Sequence, residues 1–500
     1  MKCNILLFIL SIITAVSFAQ TRIKESIYSK NLKDSVNYDV WLPDKYNAEE
    51  TYPVIYCFNY GGVVPQFIAS QLKFFEDYNS LLPKTIVVGI YAEMDRIGYN
   101  YITGKLTSLG ESFVNCIKKE IIPVVDKKYS TSFFKTYLGH SYAASYANNL
   151  LLNNPEIFNA YILLAPEKTG INNAPFNISA GLKAYYSKKQ VFYYTAVGQF
   201  DMDRRRNYAK ETTAKLKQLN NPGMVIRYDS IPNKDHSTVV SDAIRPALEY
   251  IYSQYDPEYS IDSTVNAYSN LQLANKRILD TYGINKYQSR PIYYRPFAQL
   301  AIQKKDTASL LKIIEHFSSP KLKGYDLHNF GRFCANAGLQ KQARTYLEQA
   351  IKRLKEQEKN ESWAIYTLAD CYDTFVEKIY KNDTTSAKSY LQKLKLLIEA
   401  HRNRYPALSD YYFSFGIFGV DNKCNLNESL TCLNLYLKQR ENLTDAIHAG
   451  YDKIYYYIGK CNYQLKNNLL AKKNLEKAIQ INSANKAAID LLKQIDSEVK

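Results

Sequence analysis

The residues most able to do chemistry in this chain begin in the run YLGHSYAASY, residues 137 to 146. Gly139, Ser141 and Ala143 come within one residue type of G-x-S-x-G, a sharp strand-to-helix turn that lifts a serine hydroxyl clear of its surroundings. Such a turn brings together the residues two before and two after the serine, so both must be small, and Gly139 and Ala143 are. A serine hydroxyl is a weak nucleophile until a base takes its proton, so a histidine must reach it. Between residues 20 and 255 there are two, His140 and His236. His140 sits inside the turn, where its side chain is expected to point away from its neighbour's. His236, in PNKDHSTVV, is therefore the expected base. An acid is then needed to orient the imidazole and stabilise its cation. Asp201 and Asp203, in QFDMD, both qualify; Asp201 is favoured because it lies closer to the end of VFYYTAVG, while Asp203 suits the start of a helix through RRRNYAK.

A tetrahedral oxyanion needs two backbone N–H donors, one from the residue after the nucleophile and one from a loop after an earlier strand. Tyr142 supplies the first. The run FNYGG supplies the second, from Tyr60 with Asn59 beside it, and Gly61 and Gly62 let that loop turn sharply. Arg96 is placed to hold an anionic part of a substrate or to anchor Glu93 or Asp95. Tyr60, Tyr91, Tyr99 and Tyr142 are aromatics able to stack on a sugar or catechol ring, although in a chain with 45 tyrosines placement alone says little.

These residues need a scaffold that alternates strand and helix. From Arg22 to about Tyr255 the chain does so, with strand-like runs at 53–60, 85–92, 134–139, 160–166, 191–198 and 224–232. Between them lie stretches such as ESFVNCIKKEIIPVVDKKY and RRRNYAKETTAKLKQL, long enough for crossover helices. The expectation is an α/β fold, a mostly parallel sheet with helices on both faces, and an antiparallel hairpin from ESIYSKNLKDSVNYDVWLP on its edge. Ser141 then follows a strand and opens a helix, and His236 lies between the last strand and the last helix.

After SQYDPEYS the period changes to helical and stays so to Lys500. Gly331, Ala343, Leu347 and Ala350 share their spacing with Gly459, Ala471, Leu475 and Ala478. That is the small-residue framework of a tetratricopeptide repeat: small residues let two helices of a hairpin approach, and the leucine fills the groove. A third, looser copy is expected from WAIYTLADCY to SAKSYLQKL. The expected organisation is a signal peptide over 1–19, an α/β domain over 20–255 and an all-α, helical-repeat domain over 256–500, through which a protein partner could bind.

The opening MKCNILLFILSIITAVSFAQ has a basic start, an apolar run and a small-x-small ending at Ser17 and Ala19, the pattern of a cleaved secretory signal. The run is too short for a membrane span, and Cys3 precedes it, on the wrong side for lipid attachment. Export to the periplasm or beyond is expected. Seven of the eight cysteines follow the leader, scattered singly without a C-x-x-C pair, so buried free thiols are expected and no metal site; Cys424 and Cys432 are the one pair able to bridge. The formal net charge of +16 arises from lysines spread along both halves and is read as a solvated basic surface rather than a nucleic-acid groove.

Taken in order, YPVIYCFNYGG, VVGIYAEMDR, FVNCIKKEIIPVVDKKY, YLGHSYAASYANNLLLNNPEIFNAYILLAP and the late NKDH resemble the esterase family that includes esterase D and the enterochelin (ferric siderophore) esterases. The resemblance covers roughly residues 30 to 255. It implies an α/β-hydrolase fold, no cofactor, and ester hydrolysis through a serine, acid and histidine, which by position are Ser141, Asp201 and His236. The chain departs from the family in Ala143 and Ala144, where glycines are usual, and in Asn59-Tyr60-Gly61, where Asp-Gly is common. The function expected is hydrolysis of a small-molecule or glycan-linked ester. The alternatives are a binding scaffold acting through its helical repeats and an acyltransferase on the same fold.

Overall fold

The structure is a computed structural model that describes residues 21–58, 63–77, 82–92, 98, 100, 103, 105–168, 179–284, 291–320, 322–356, 359–441 and 450–498. The expected leader over 1–19 lies outside the described residues. The chain divides into two compact units, one of Met1–Val265 with Ser269–Pro296 and one of Asn266–Tyr268 with Phe297–Lys500.

The first unit is built on eight strands: β1 (Arg22–Ser29), β2 (Asp34–Trp41), β3 (Tyr52–Phe58), β4 (Ile86–Ile90), β5 (Thr131–His140), β6 (Ala160–Leu164), β7 (Val191–Gly198) and β8 (Met224–Ile231). Their order across the sheet is β1-β2-β4-β3-β5-β6-β7-β8. β1 and β2 form the expected antiparallel hairpin on one edge, β2 runs antiparallel to β4, and every pairing from β4 to β8 is parallel. This is the sheet of an α/β-hydrolase. Parallel strands need helical crossovers, which cover both faces and leave the strands apolar throughout. The alternation is direct: Val54, Tyr56 and Phe58 of β3 join a core with residues of helices Ser108–Cys116, Tyr142–Asn153 and Ala180–Tyr186. Ile55 and Cys57 face the other way, into a core with helices Val63–Asp77 and Val239–Ile251.

The second core also takes in a helix beyond residue 255. Ile278 and Tyr282, from helix Ala267–Tyr282, belong to it. The Tyr282 ring lies 4.9 Å from Phe134 and 5.6 Å from Tyr252 between centroids. The first compact unit thus runs past residue 255 to Pro296.

The second unit is all helical among its described residues. Helices Gly324–Asn336 and Gln340–Glu356 form one hairpin, and Tyr451–Gln464 and Asn468–Ile481 another. A Cβ on Gly331 would stand 2.7 Å from Leu347 Cγ, and one on Gly459 would stand 2.8 Å from Leu475 Cγ. Close approach therefore requires glycine at both, as the spacing implied. A third crossing of this kind occurs in helices Tyr411–Asp421 and Leu426–Glu441, where a Cβ on Gly416 would stand 2.4 Å from Leu433 Cγ. The looser copy expected from WAIYTLADCY to SAKSYLQKL falls on helices Ser362–Thr374 and Thr384–His401, with a short π-helix at Phe375–Ile379 after the first of them. Among the described residues all seven cysteines are free thiols, Cys424 and Cys432 included. No described helix is long and apolar enough to cross a membrane.

Candidate active site

The parallel sheet brings the C-terminal ends of β5, β6, β7 and β8 to one edge, where an open α/β sheet presents its ligand crevice. β5 ends at His140 and the chain reverses at once into helix Tyr142–Asn153. Ser141 occupies the reversal with φ 58° and ψ −122°, in the left-handed half of backbone space. Its N–H is tied to the Leu164 carbonyl at the end of β6, 2.9 Å away. A Cβ on Gly139 would stand 2.7 Å from the backbone of Ala143, so the requirement for small residues is met where the sequence places them.

Two adjacent loops hold the partners. The loop after β7 and the loop after β8 are cross-linked by Gln199 N–H to Ile231 O at 2.9 Å and by Phe200 N–H to Lys234 O at 2.8 Å. A Cβ on Gly198 would lie 2.3 Å from Lys234 O, which makes glycine the residue that lets the loops close. Asp235 Oδ1 caps the second loop by accepting from the N–H groups of Ser237 and Thr238 at 2.9 and 2.8 Å. His236 sits between these supports. Its Nε2 is 3.1 Å from Ser141 Oγ and its Nδ1 is 3.1 Å from Asp201 Oδ2. The Asp201 side chain is 1% exposed and that of His236 28%. A carboxylate only accepts, so Nδ1 carries the ring proton and Nε2 is free to accept from the serine hydroxyl.

Asp201 Oδ1 accepts from Met202 N–H at 2.7 Å and Arg205 Nη1 at 2.8 Å. Burial pushes the Asp201 carboxyl up, but the hydrogen bonds from Arg205, Met202 and His236 outweigh it and hold the group below the usual carboxylate value. Asp203 is elsewhere: it opens helix Asp203–Gln218 and pairs with Arg206 in solvent. Tyr142 is the first residue of helix Tyr142–Asn153, where main-chain N–H groups lack helical acceptors. Asn59, Tyr60 and Arg96, with Tyr99, lie outside the described residues. The Tyr91 hydroxyl is bound to Asp39, beside Arg22. No cluster of His, Cys, Asp or Glu among the described residues is suited to hold a metal.

Residues 29–236 match the family described as Putative esterase. The matched span takes in Ser141, Asp201 and His236, and it makes the chain a carboxylic ester hydrolase. No curated protein matches it. Among solved structures, an uncharacterised protein from Capnocytophaga ochracea is similar at 17% identity and a TM-score of 0.48, covering 67% of this chain and 94% of its own. An IroE-like serine hydrolase from Shewanella oneidensis is similar at 18% identity and a TM-score of 0.45, covering 60% and 100%. A siderophore hydrolase from Aspergillus nidulans is similar at 16% identity and a TM-score of 0.40, covering 47% and 95%.

Three further residues of the esterase domain, His140, Glu167 and Arg205, line this site, and sequence reasoning assigned none of them a role in it. His140 does not point away: its ring centroid is 4.6 Å from that of His236, and its Nε2 donates to the His236 carbonyl at 2.7 Å. Desolvation lowers its proton affinity below that of a free imidazole. Glu167, two residues past the φ-positive Ala165 that follows β6, is 4% exposed and pairs with Arg205 and Arg204. Arg205 was visible as the residue four beyond Asp201, a spacing that pairs charges on a helix. Glu167 was visible only as a charge just past a strand end.

Proposed function

We propose that the chain is an exported serine esterase that cleaves small-molecule or glycan-linked esters through Ser141, His236 and Asp201. The observation that carries this reading is the pair of 3.1 Å contacts running from Ser141 Oγ through His236 to Asp201 Oδ2, made by groups at the ends of three different strands. His236 Nε2 takes the hydroxyl proton as Ser141 Oγ attacks the ester carbonyl. The negative charge that develops on the carbonyl oxygen is met by the N–H of Tyr142, at the positive end of its helix, and by that of Tyr60. Collapse expels the alcohol, which leaves with the proton from His236. Water, deprotonated by the same imidazole, then attacks the acyl-serine, and the acid departs as Ser141 recovers its proton. Asp201 stays ionised throughout and stabilises the imidazolium. The leader over 1–19 directs export, and the helical unit, read as tetratricopeptide-like hairpins, offers a surface for a protein partner.

The test is turnover of p-nitrophenyl acetate with labelling by a fluorophosphonate. Ser141→Ala should lose both label and turnover, the latter by ~10⁴ to 10⁶, and Ser141→Ala/His236→Ala should be hardly worse than either single variant, because members of one triad act as a unit. Full activity in Ser141→Ala would end the reading.

A further inference from the structure

The Asp201 carboxylate is held from behind by a charged group that the reaction steps above do not use. Arg205 lies in helix Asp203–Gln218 and reaches two acids at once, with Nη1 on Asp201 Oδ1 at 2.8 Å and Nε on Glu167 Oε2. The side chains of Asp201, Glu167 and Arg205 are 1%, 5% and 12% exposed. Burying charge is expensive unless each charge is matched. A lone Asp201–Arg205 pair would satisfy that need, yet it would also cancel the negative charge that an imidazolium on His236 requires. Glu167 alters the balance: two buried acids around one buried cation leave a net charge of minus one next to His236. The second cation on Glu167, Arg204, is 56% exposed, and water screens it.

We propose that Arg205, braced by Glu167, is a positioning residue for Asp201, and that Glu167 preserves the negative charge that Asp201 presents to His236. This rests on the triad reading above. Arg205 and the Met202 N–H occupy Oδ1 and leave Oδ2 alone to face His236 Nδ1, so the carboxylate cannot swing. The other charged or titratable groups around the pair are committed elsewhere. His140 is half-buried, its proton affinity lowered, and its Nε2 is spent on the His236 carbonyl; Asp203 pairs with Arg206; Lys234 pairs with Asp242; Asp235 caps its own loop.

The charge argument makes predictions of opposite sign. Removing the negative charge with Glu167→Gln should disfavour the imidazolium and move the acid limb of the kcat/KM profile to lower pH by roughly half a unit, the size expected from a unit charge several ångströms away in a partly screened site. Removing the positive charge with Arg205→Met should move the limb upward by a similar amount. The double variant restores a net charge of minus one, and its limb should return toward that of the wild type. Arg205→Lys, the conservative change, keeps the charge but loses the two-pronged grip; its limb should stay in place while kcat falls roughly tenfold at unchanged KM. The substrate is p-nitrophenyl acetate with the full mature chain, and circular dichroism reports folding.

Limbs that coincide in all four variants, or an Arg205→Lys enzyme with wild-type kcat, would reduce the trio to a structural ion pair and overturn the proposal. If Glu167→Gln and Arg205→Met do not fold, the Arg205→Lys result decides. Ser141→Ala separates the two failures. An inactive Ser141→Ala with unmoved limbs overturns only the positioning role, whereas an active one overturns the triad and this inference with it.

Discussion

The helix Ala267–Tyr282 lies in the part of the chain whose period reads as helical repeat, yet from Ser269 onward it belongs to the esterase unit. The perturbation that tests this is Tyr282→Ala. Tyr282 is 0% exposed. Its ring packs against Phe134 on β5, Phe192 on β7, Tyr252 and Tyr255 at centroid distances of 4.9, 6.4, 5.6 and 6.4 Å. Its hydroxyl donates to Ile251 O at 3.0 Å and accepts from Gln254 N–H at 3.1 Å. Truncating a fully buried aromatic costs about 3–5 kcal/mol, and the hydroxyl alone about 1 kcal/mol, so Tyr282→Phe should be the mild variant.

Ending the chain after Tyr255 removes Tyr282 together with the buried Ile278, Ile284 and Tyr293. At about 2–5 kcal/mol for each large apolar side chain, the loss approaches the 5–15 kcal/mol that typically separates a folded domain from its unfolded state. A fragment of residues 20–255 should therefore fail to unfold cooperatively and hydrolyse no ester, whereas residues 20–296 should do both. The assay is urea unfolding of the 20–296 fragment followed by circular dichroism, with and without Tyr282→Ala. With an m-value of roughly 3 kcal/mol/M, the substitution should lower the midpoint by about 1 M or more. A midpoint unchanged by Tyr282→Ala, or a 20–255 fragment as stable as 20–296, would refute the reasoning.

Asp201→Asn should cut p-nitrophenyl acetate turnover by ~10³ to 10⁴, as expected when the acid of such a triad is neutralised, while Asp203→Asn, whose side chain is 81% exposed, should stay within about twofold of the wild type; a larger loss for Asp203 would move the acid. In the helical unit, burial and then the Glu377 charge push Asp373 up to about 7, and its Oδ1 is out of reach of solvent without a partner. The folded unit therefore holds a proton that the unfolded chain releases near pH 4, so stability on this account falls as pH rises from about 4 to 7; Asp373→Asn should raise the melting temperature at pH 8 and leave it unchanged at pH 4. Gly459→Ala, which on an open helix surface would be favourable, should destabilise by about 1–3 kcal/mol in thermal unfolding because its Cβ meets Leu475 at 2.8 Å, and Leu475→Ala should cost less in that background than in the wild type.

All six expected strands appear as β3 to β8; β3, β4, β6 and β7 were the most legible, because a parallel strand covered on both faces is buried and apolar along its whole length. The two hairpins that set Gly331 against Leu347 and Gly459 against Leu475 were legible because equal spacing survives wherever helices cross alike. The hairpin at Gly416 was not, for a simple reason: seventeen residues separate Gly416 from Leu433, one more than separate Gly331 from Leu347. Lys423 and Asn425, both at positive φ, sit in its longer connection. One added loop residue leaves the packing intact and hides the period. Helix Ala267–Tyr282 was opaque for the opposite reason, since its amphipathic pattern says that one face is buried and cannot say against what.

The same limit explains what was missed at the site. That Ser141, Asp201 and His236 meet was legible because each lies just past a strand, and a parallel sheet gathers strand ends at one edge whatever the intervening lengths. Their supports follow another rule. His140 meets His236, and Glu167 meets Arg205, through contacts between neighbouring loops whose paths no local spacing encodes. The backbone contacts that set those paths, such as Gly198 against Lys234 O, are made by residues of no distinctive chemistry. A charged residue immediately after a parallel strand, followed by a partner of opposite sign after the next strand, is then a usable sign in its own right. In this chain Glu167 after β6 and Arg205 after β7 meet that description, and β6 and β7 are neighbours in the sheet. Adjacent strand ends place such a pair within reach of each other, and burial there forces the two charges to meet.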